Sequence, residues 1–265
     1  MTFEAIQKFK EEINSGKVCI GPGIMFADPM VTDALALSSD FIWIDLEHGS
    51  MSPEAMNGHI MAAHSHGLPG IVRLPGGGSA LVKPALDSGA DGIIIPQIYS
   101  VDEVKRLVDD CRYPPVGHRG FGPRVPSDFF RNATPEYVAK ANKSIFVSVM
   151  VETVEALAAI DEIVAVPGLD SIVIGPADLS WSLGARGDTN DPRVIAAFEK
   201  IIHSAKKAGC MVGCGLGPDP VSANQMAELG AQWLQLGADC AILVQGFDQA
   251  RAAYNQLREK SKVSQ

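Results

Sequence analysis

The chain has 265 residues, 46% of them hydrophobic and 20% charged, enough to bury one full core and close to the usual size of a single α/β barrel. Its formal charge of -9 and pI near 5.1 argue against a nucleic-acid or anionic-membrane surface, since both need clustered Lys and Arg to neutralise phosphates. No stretch approaches the roughly 20 apolar residues of a membrane span, so the expected partner is a small molecule and the expected location the cytoplasm.

From the N-terminus, Met1 to Lys17 reads as a charged amphipathic helix. Short apolar, β-branched runs then recur at Val18 to Ile24, Phe41 to Asp45, Gly70 to Leu74, Gly92 to Gln97, Ile145 to Val151, Ser171 to Gly175, Met211 to Gly215 and Trp233 to Gly237, with the length and composition of buried strands. Helical periodicity fills most intervals, in Pro53 to His66, Val101 to Cys111, Val154 to Ala165, Pro192 to Ala208 and Pro220 to Leu229. Glycines close several helices, as in Ala208-Gly209 and Leu229-Gly230, where the chain must turn back. The alternation predicts parallel pairing, and eight such units predict one α/β domain over residues 1–265, a (β/α)₈ TIM barrel. The segment from Arg112 to about Ala133 is aperiodic and rich in Pro and Gly; loops of that length in compact domains are usually functional, and it reads as a lid or an intersubunit arm. Five scattered cysteines read as reduced thiols, with Cys210 and Cys214 as small buried hydrophobes rather than half of a zinc site.

In such a barrel the chemistry sits at the C-terminal ends of the strands, and here several apolar runs end in polar residues. Phe41 to Asp45 is followed by Leu46-Glu47-His48, Gly70 to Val72 by Arg73, Val147 to Val151 by Glu152, and Ser171 to Gly175 by Pro176-Ala177-Asp178. Glu152 and Asp178 end consecutive strands, so their carboxylates can share one hard cation, Mg²⁺, Mn²⁺ or Co²⁺, with water and substrate oxygens filling the other positions. The alternative for Glu152 is a cap on the next helix. Arg73 reads either as an anchor for a substrate keto or carboxylate oxygen or as a permanent ion pair with Asp45, Glu47 or Asp91. His48, beside acids at a strand end, is the side chain suited to proton transfer near neutral pH.

His59, His64 and His66 lack a zinc-binding spacing and read as a solvated helical face. No run ends in Lys, which disfavours covalent amine catalysis. The glycines in Gly213-Cys214-Gly215-Leu216-Gly217 offer either backbone amides to a phosphate or a tight turn.

Phe41-Ile42-Trp43-Ile44-Asp45-Leu46-Glu47-His48, Val72-Arg73, Leu86-Asp87-Ser88-Gly89-Ala90, Arg112-Tyr113-Pro114-Pro115 with Arg119-Gly120, Val151-Glu152-Thr153 with Glu155-Ala156, and Gly175-Pro176-Ala177-Asp178-Leu179-Ser180 together resemble the HpcH/HpaI class II pyruvate aldolases of the citrate lyase superfamily. The resemblance runs along nearly the whole chain and implies a barrel of the phosphoenolpyruvate/pyruvate type. It also implies that Glu152 and Asp178 ligate a divalent metal chelated by pyruvate, that Arg73 stabilises the enolate oxygen, and that His48, steered by Asp87, shuttles protons. Gly175 and Ala177 would hold the substrate carboxylate, Asp45 and Glu47 would order the site, and the protein would be a homo-oligomer, commonly a hexamer. Asp87 enters by resemblance alone, since its pattern reads as helix.

Two departures stand out. Met150 replaces a Gln common in the family two residues before the metal Glu, and Gly23 stands where some relatives carry an aromatic after strand one. Both predict a roomier or less polar pocket, with Arg119, Arg124 and Phe129-Phe130 as candidate readers of the aldehyde end. The expected reaction is reversible cleavage of a 4-hydroxy-2-oxo acid to pyruvate, or a close 2-oxo acid, plus an aldehyde. The rivals are a 3-hydroxyacyl-CoA lyase on the same barrel and a barrel that binds without turnover.

Overall fold

A computed structural model describes residues 3–263, with side chains as far as Glu259. Eight parallel strands close a barrel in sequence order: β1 (Cys19–Ile24), β2 (Ile42–Asp45), β3 (Gly70–Arg73), β4 (Gly92–Ile95), β5 (Phe146–Val151), β6 (Ser171–Ile174), β7 (Met211–Leu216) and β8 (Trp233–Ala238). Each lies within two residues of its expected bounds. The helices are α1 (Glu4–Asn14), α2 (Met30–Ala36), α3 (Pro53–Ser65), α4 (Ser79–Asp87), α5 (Val101–Cys111), α6 (Pro135–Ser144), α7 (Val154–Ala158), α8 (Ile160–Ile163), α9 (Pro176–Ser182), α10 (Pro192–Ala208), α11 (Pro220–Leu229) and α12 (Asp239–Val263). The expected helix over Val154 to Ala165 is therefore two, divided at Ala159, whose φ of -94° and ψ of 13° leave the helical region. Met1 and Thr2, part of the predicted first helix, lie outside the described residues.

The barrel is filled by side chains that alternate large and small, as a small closed barrel requires. Phe9 of α1 plugs the N-terminal end, its ring centroid 5.4 Å from Phe41 and 5.7 Å from Phe146. Above it Trp233 stacks edge-on against Phe41 at 5.4 Å and donates from its indole Nε1 to Ser171 Oγ at 3.0 Å. A side chain at Gly213 would collide with the Trp233 ring. This glycine belongs to the packing of β7 on β8, which accounts for it without a bound phosphate.

The aperiodic segment forms no helix or strand from Arg112 to Thr134. It leaves α5 and returns through α6 to the start of β5, so it lies at the N-terminal end of the barrel, opposite the mouth. Buried Arg112 fastens it by donating to the Ile145 carbonyl at 3.0 Å and the Gly168 carbonyl at 3.1 Å. A lid over the chain's own mouth is thereby ruled out; an intersubunit arm is not. His118 is fixed at the same end, its Nε2 2.9 Å from Asp110 Oδ1.

The histidines of α3 depart from expectation. His59 is fully buried with Nδ1 2.8 Å from Thr32 Oγ1. His64 Nε2 lies 2.6 Å from Asp91, whose other contact is the Gly70 amide at 2.9 Å, and His66 pairs with Asp33 at 2.7 Å. They join α3 to its neighbours instead of facing solvent, because a helix against a barrel buries polar groups that sequence spacing cannot pair.

Candidate active site

Asp45 and Arg73 end β2 and β3 in register. Arg73 donates from Nε to Asp45 Oδ1 at 3.0 Å and from Nη2 to Asp45 Oδ2 at 2.5 Å, while Nη1 lies 3.1 Å from Glu47 Oε2. The guanidinium rests 5.3 Å from the Trp43 ring centroid, a cation held by two acids and an aromatic face. The ion-pair reading of Arg73 is realised. Of its five N–H groups, three meet carboxylates and one Nη1 hydrogen faces Met150 Sδ at 3.7 Å, which leaves donor capacity toward the mouth.

Glu152 follows β5 and is 4% exposed. Its Oε1 accepts from the Gln97 amide at 2.7 Å. It does not cap the next helix: Thr153 does so, accepting from Ala156 N at 3.0 Å. Burial pushes the Glu152 pKa up to about 7, against the pull of the Gln97 amide and with a further push from Asp178 and Glu47. Burial raises Glu47 as well, with Arg73 opposing. A Cβ on Gly175 would stand 2.5 Å from Glu152 Oε2, so the glycine after β6 clears the space this carboxylate occupies. Asp178 lies in the first turn of α9, beside the Ala177 amide, which as a first-turn N–H has no acceptor within its helix.

Glu152 and Asp178 fit a divalent cation. Their like charges act on each other in a partly buried mouth, and a cation relieves that repulsion more fully than a proton shared between them. Among the described residues no group of three His, Cys, Asp or Glu side chains could hold a metal ion. The protein would supply two carboxylates and leave the remaining positions to substrate and water, as a catalytic site for a hard ion does.

His48 is more than half exposed, with Nε2 3.7 Å from Glu47 Oε2. The structure does not bring Asp87 to it. Asp87 ends α4 at the far end of the barrel, where Arg119 Nη2 donates to its Oδ1 at 2.5 Å. Arg119 is itself buried, its guanidinium 4.4 Å from the Tyr113 ring centroid, so it is locked in the loop base and is not free to read a substrate in this chain's mouth.

Three further residues shape the site. Gln97, at φ 52°, turns its amide onto Glu152. Asp239 follows β8 and accepts from Met25 N at 3.1 Å, Phe26 N at 2.9 Å and Cys240 N at 2.7 Å, fixing the turn after β1; the acid closing Gly237-Ala238-Asp239, so like Gly175-Pro176-Ala177-Asp178, was the available signal. Gln235 of β8 occupies the space beside Gly23, with Nε2 2.9 Å from where a Cβ would be. The mouth is thus not roomier at Gly23, because an amide from the neighbouring strand fills it.

Comparison with known proteins agrees with this fold. The solved structure of an HpcH/HpaI aldolase from Desulfitobacterium hafniense DCB-2 superposes with a TM-score of 0.85 at 31% identity, covering 92% of this chain and 95% of that one. The hydroxypyruvate/pyruvate aldolase of Pseudomonas aeruginosa is 35% identical over 91% of this chain and 90% of its own. The 4-hydroxy-2-oxo-heptane-1,7-dioate aldolase of Salmonella paratyphi C is 31% identical over 97% of both. Barrel and relatives define a carbon–carbon lyase of the aldehyde-lyase type. A family model described as HpcH/HpaI aldolase/citrate lyase matches residues 25–245, and the chain belongs to that family.

Proposed function

We propose that this lyase is a metal-dependent class II aldolase that reversibly cleaves a 4-hydroxy-2-oxo acid to pyruvate, or a close 2-oxo acid, plus an aldehyde. The observation that carries the reading is the buried Glu152 carboxylate beside Asp178, the two acids at adjacent strand ends. They would hold Mg²⁺, Mn²⁺ or Co²⁺, which when bound supplies Lewis-acid polarisation of the substrate's keto oxygen.

The remaining groups divide the work. Arg73, immobilised by Asp45 and Glu47, directs its spare N–H to the keto oxygen as negative charge builds there. The Gly175 and Ala177 backbone receives the substrate carboxylate. His48 moves the proton between substrate and solvent, with Glu47 as its neighbour. For Asp87 to steer His48 it must come from a second copy, since the two lie at opposite ends of one barrel. A homo-oligomer, a hexamer by family resemblance, is consistent with that. It is also consistent with α12, which leaves Leu243, Val244, Phe247 and Tyr254 exposed, apolar side chains of the kind that gather at protein–protein contacts. Among the described residues no helix is long and apolar enough to cross a membrane, and five free cysteines suit a reducing compartment such as the cytoplasm.

The test is pyruvate exchange in D₂O. EDTA-treated protein should not exchange the methyl protons, and added Mg²⁺, Mn²⁺ or Co²⁺ should restore exchange. Folded protein that exchanges with none of the three overturns the proposal.

A further inference from the structure

Gln235 is an amide inside the barrel whose packing role, filling the space beside Gly23, does not use its hydrogen-bonding groups. It points inward, two residues along β8 from Trp233 and so on the same face of the strand. Trp233 is fully buried whereas Gln235 is partly accessible, which sets Gln235 one layer nearer the mouth. Both its strand neighbours face it with glycines: Gly215 is its register partner on β7 and Gly21 on β1. The carboxamide spans the width they leave, with Nε2 2.9 Å from the Cβ position of Gly23 and Oε1 3.5 Å from that of Gly215. Among the described residues no side-chain hydrogen bond of Gln235 is found. Four acids around it do have partners: Asp45 and Glu47 hold Arg73, Glu152 holds the Gln97 amide, and Asp239 holds the turn after β1.

Two exchanges of size therefore meet in this mouth. Position 23 gives up its side chain, and position 235 fills the space with a group that both donates and accepts hydrogen bonds. At the same time Met150, which touches Arg73, offers no such group on the opposite wall. Gly23 is in register with Trp43, whose ring carries Arg73, so the amide lies on the β8–β1 side of the barrel, next to the β2–β3 wall that holds Arg73, while Glu152 follows β5 and Asp178 lies in α9 after β6. On the aldolase reading the substrate's carboxylate and keto oxygens are held at those acids, which leaves β8 and β1 as a wall that its far end can reach.

We infer that Gln235 is a specificity-determining residue that hydrogen-bonds a hydroxyl on the acceptor aldehyde, so that the enzyme selects hydroxylated aldehydes over their deoxy counterparts. The inference rests on the aldolase reading above. A site that presents a polar group to a substrate hydroxyl penalises the analogue lacking it, because the group is left unpaired.

The experiment measures kcat/KM for pyruvate with glycolaldehyde and with acetaldehyde, and for hydroxypyruvate with acetaldehyde. It uses the wild type, Gln235→Met and Gly23→Ala. Gln235→Met keeps the length and removes the amide; Gly23→Ala keeps the amide and displaces its flexible end, so folding is preserved if the first variant should fail. The wild type should prefer glycolaldehyde by roughly tenfold or more, and both variants should bring that ratio toward one. A ratio unchanged in both variants overturns the role of Gln235. A ratio between pyruvate and hydroxypyruvate that collapses while the aldehyde ratio stands overturns the assignment to the acceptor. Absence of methyl-proton exchange in the wild type would instead overturn the aldolase reading itself.

Discussion

Asp45 and Arg73 face each other across β2 and β3, and two hydrogen bonds, at 3.0 and 2.5 Å, make a forked pair of them. The fork fixes the plane of the guanidinium, and Lys, a point charge on a flexible stem, cannot reproduce it. Arg73→Lys should lower kcat by about a hundredfold with a smaller change in KM, the signature of an interaction strongest in the transition state. Asp45→Ala, which leaves a nearly buried cation short of its partner, should cost about 3 kcal/mol of stability, read as a lowered urea midpoint. Wild-type kcat in Arg73→Lys would remove Arg73 from the chemistry.

Glu152 is held ionisable at a cost. It is buried beside other acids, and an uncompensated buried carboxylate destabilises the fold that carries it. Glu152→Gln keeps the shape and the acceptor for the Gln97 amide while discarding the charge. The variant should therefore melt higher than EDTA-treated wild type and gain nothing from added Mn²⁺, whereas Mn²⁺ should raise the melting temperature of the wild type. A variant that Mn²⁺ still stabilises to the wild-type extent would show that Glu152 is not a ligand.

The strands and the acids at their C-terminal ends were legible because both depend on local order along the chain: an apolar run sets a strand, and the first polar residue after it reaches the mouth. What was not legible depends on neighbours distant in sequence. For Gly213 the sequence left a phosphate loop and a tight turn both open because its partner, Trp233, is 20 residues on; Gly23 suggested a roomier or less polar pocket because Gln235 fills it from another strand. Asp87 was read as a helix residue, and α4 does contain it, so only resemblance gave it a role. The short helices α2 and α9 escaped because a single apolar turn carries too little periodicity to register.

Gly213 offers a direct check of that distinction. If its function is to admit the Trp233 ring, Gly213→Ala should overpack the barrel, costing about 1–3 kcal/mol and lowering the melting temperature, and inorganic phosphate should protect neither protein. Phosphate-dependent stabilisation of the wild type, lost in the variant, would return the glycines to an anion-binding role.

Asp191 supplies a pH test outside the site. It caps α10, accepting from Arg193 N at 2.8 Å, and the Arg193 side chain beside it holds its carboxyl down at about 2. A carboxyl with a depressed folded-state pKa stabilises the protein above its unfolded value, near 3.8, and that contribution is lost as pH falls toward 2. The urea midpoint of Asp191→Ala should lie below that of the wild type at pH 7, and the gap should narrow between pH 4 and 2. A gap independent of pH would mean the cap acts through shape alone.

His48 separates proton transfer from binding. Its imidazole is exposed at the mouth and touches Glu47, not Glu152 or Asp178, so its removal takes away a proton carrier without disturbing the two acids. His48→Ala should slow methyl-proton exchange by about 10²-fold or more, within the range for loss of a positioned acid–base group. Mn²⁺ affinity, followed by titration calorimetry, should change less than about threefold. Exogenous imidazole should recover part of the rate, since a small base can enter the vacated, solvent-open position. Weakened Mn²⁺ binding would point to a ligand role for His48, and unaltered exchange would pass the proton to another group, with Glu47, whose pKa burial raises, next in line.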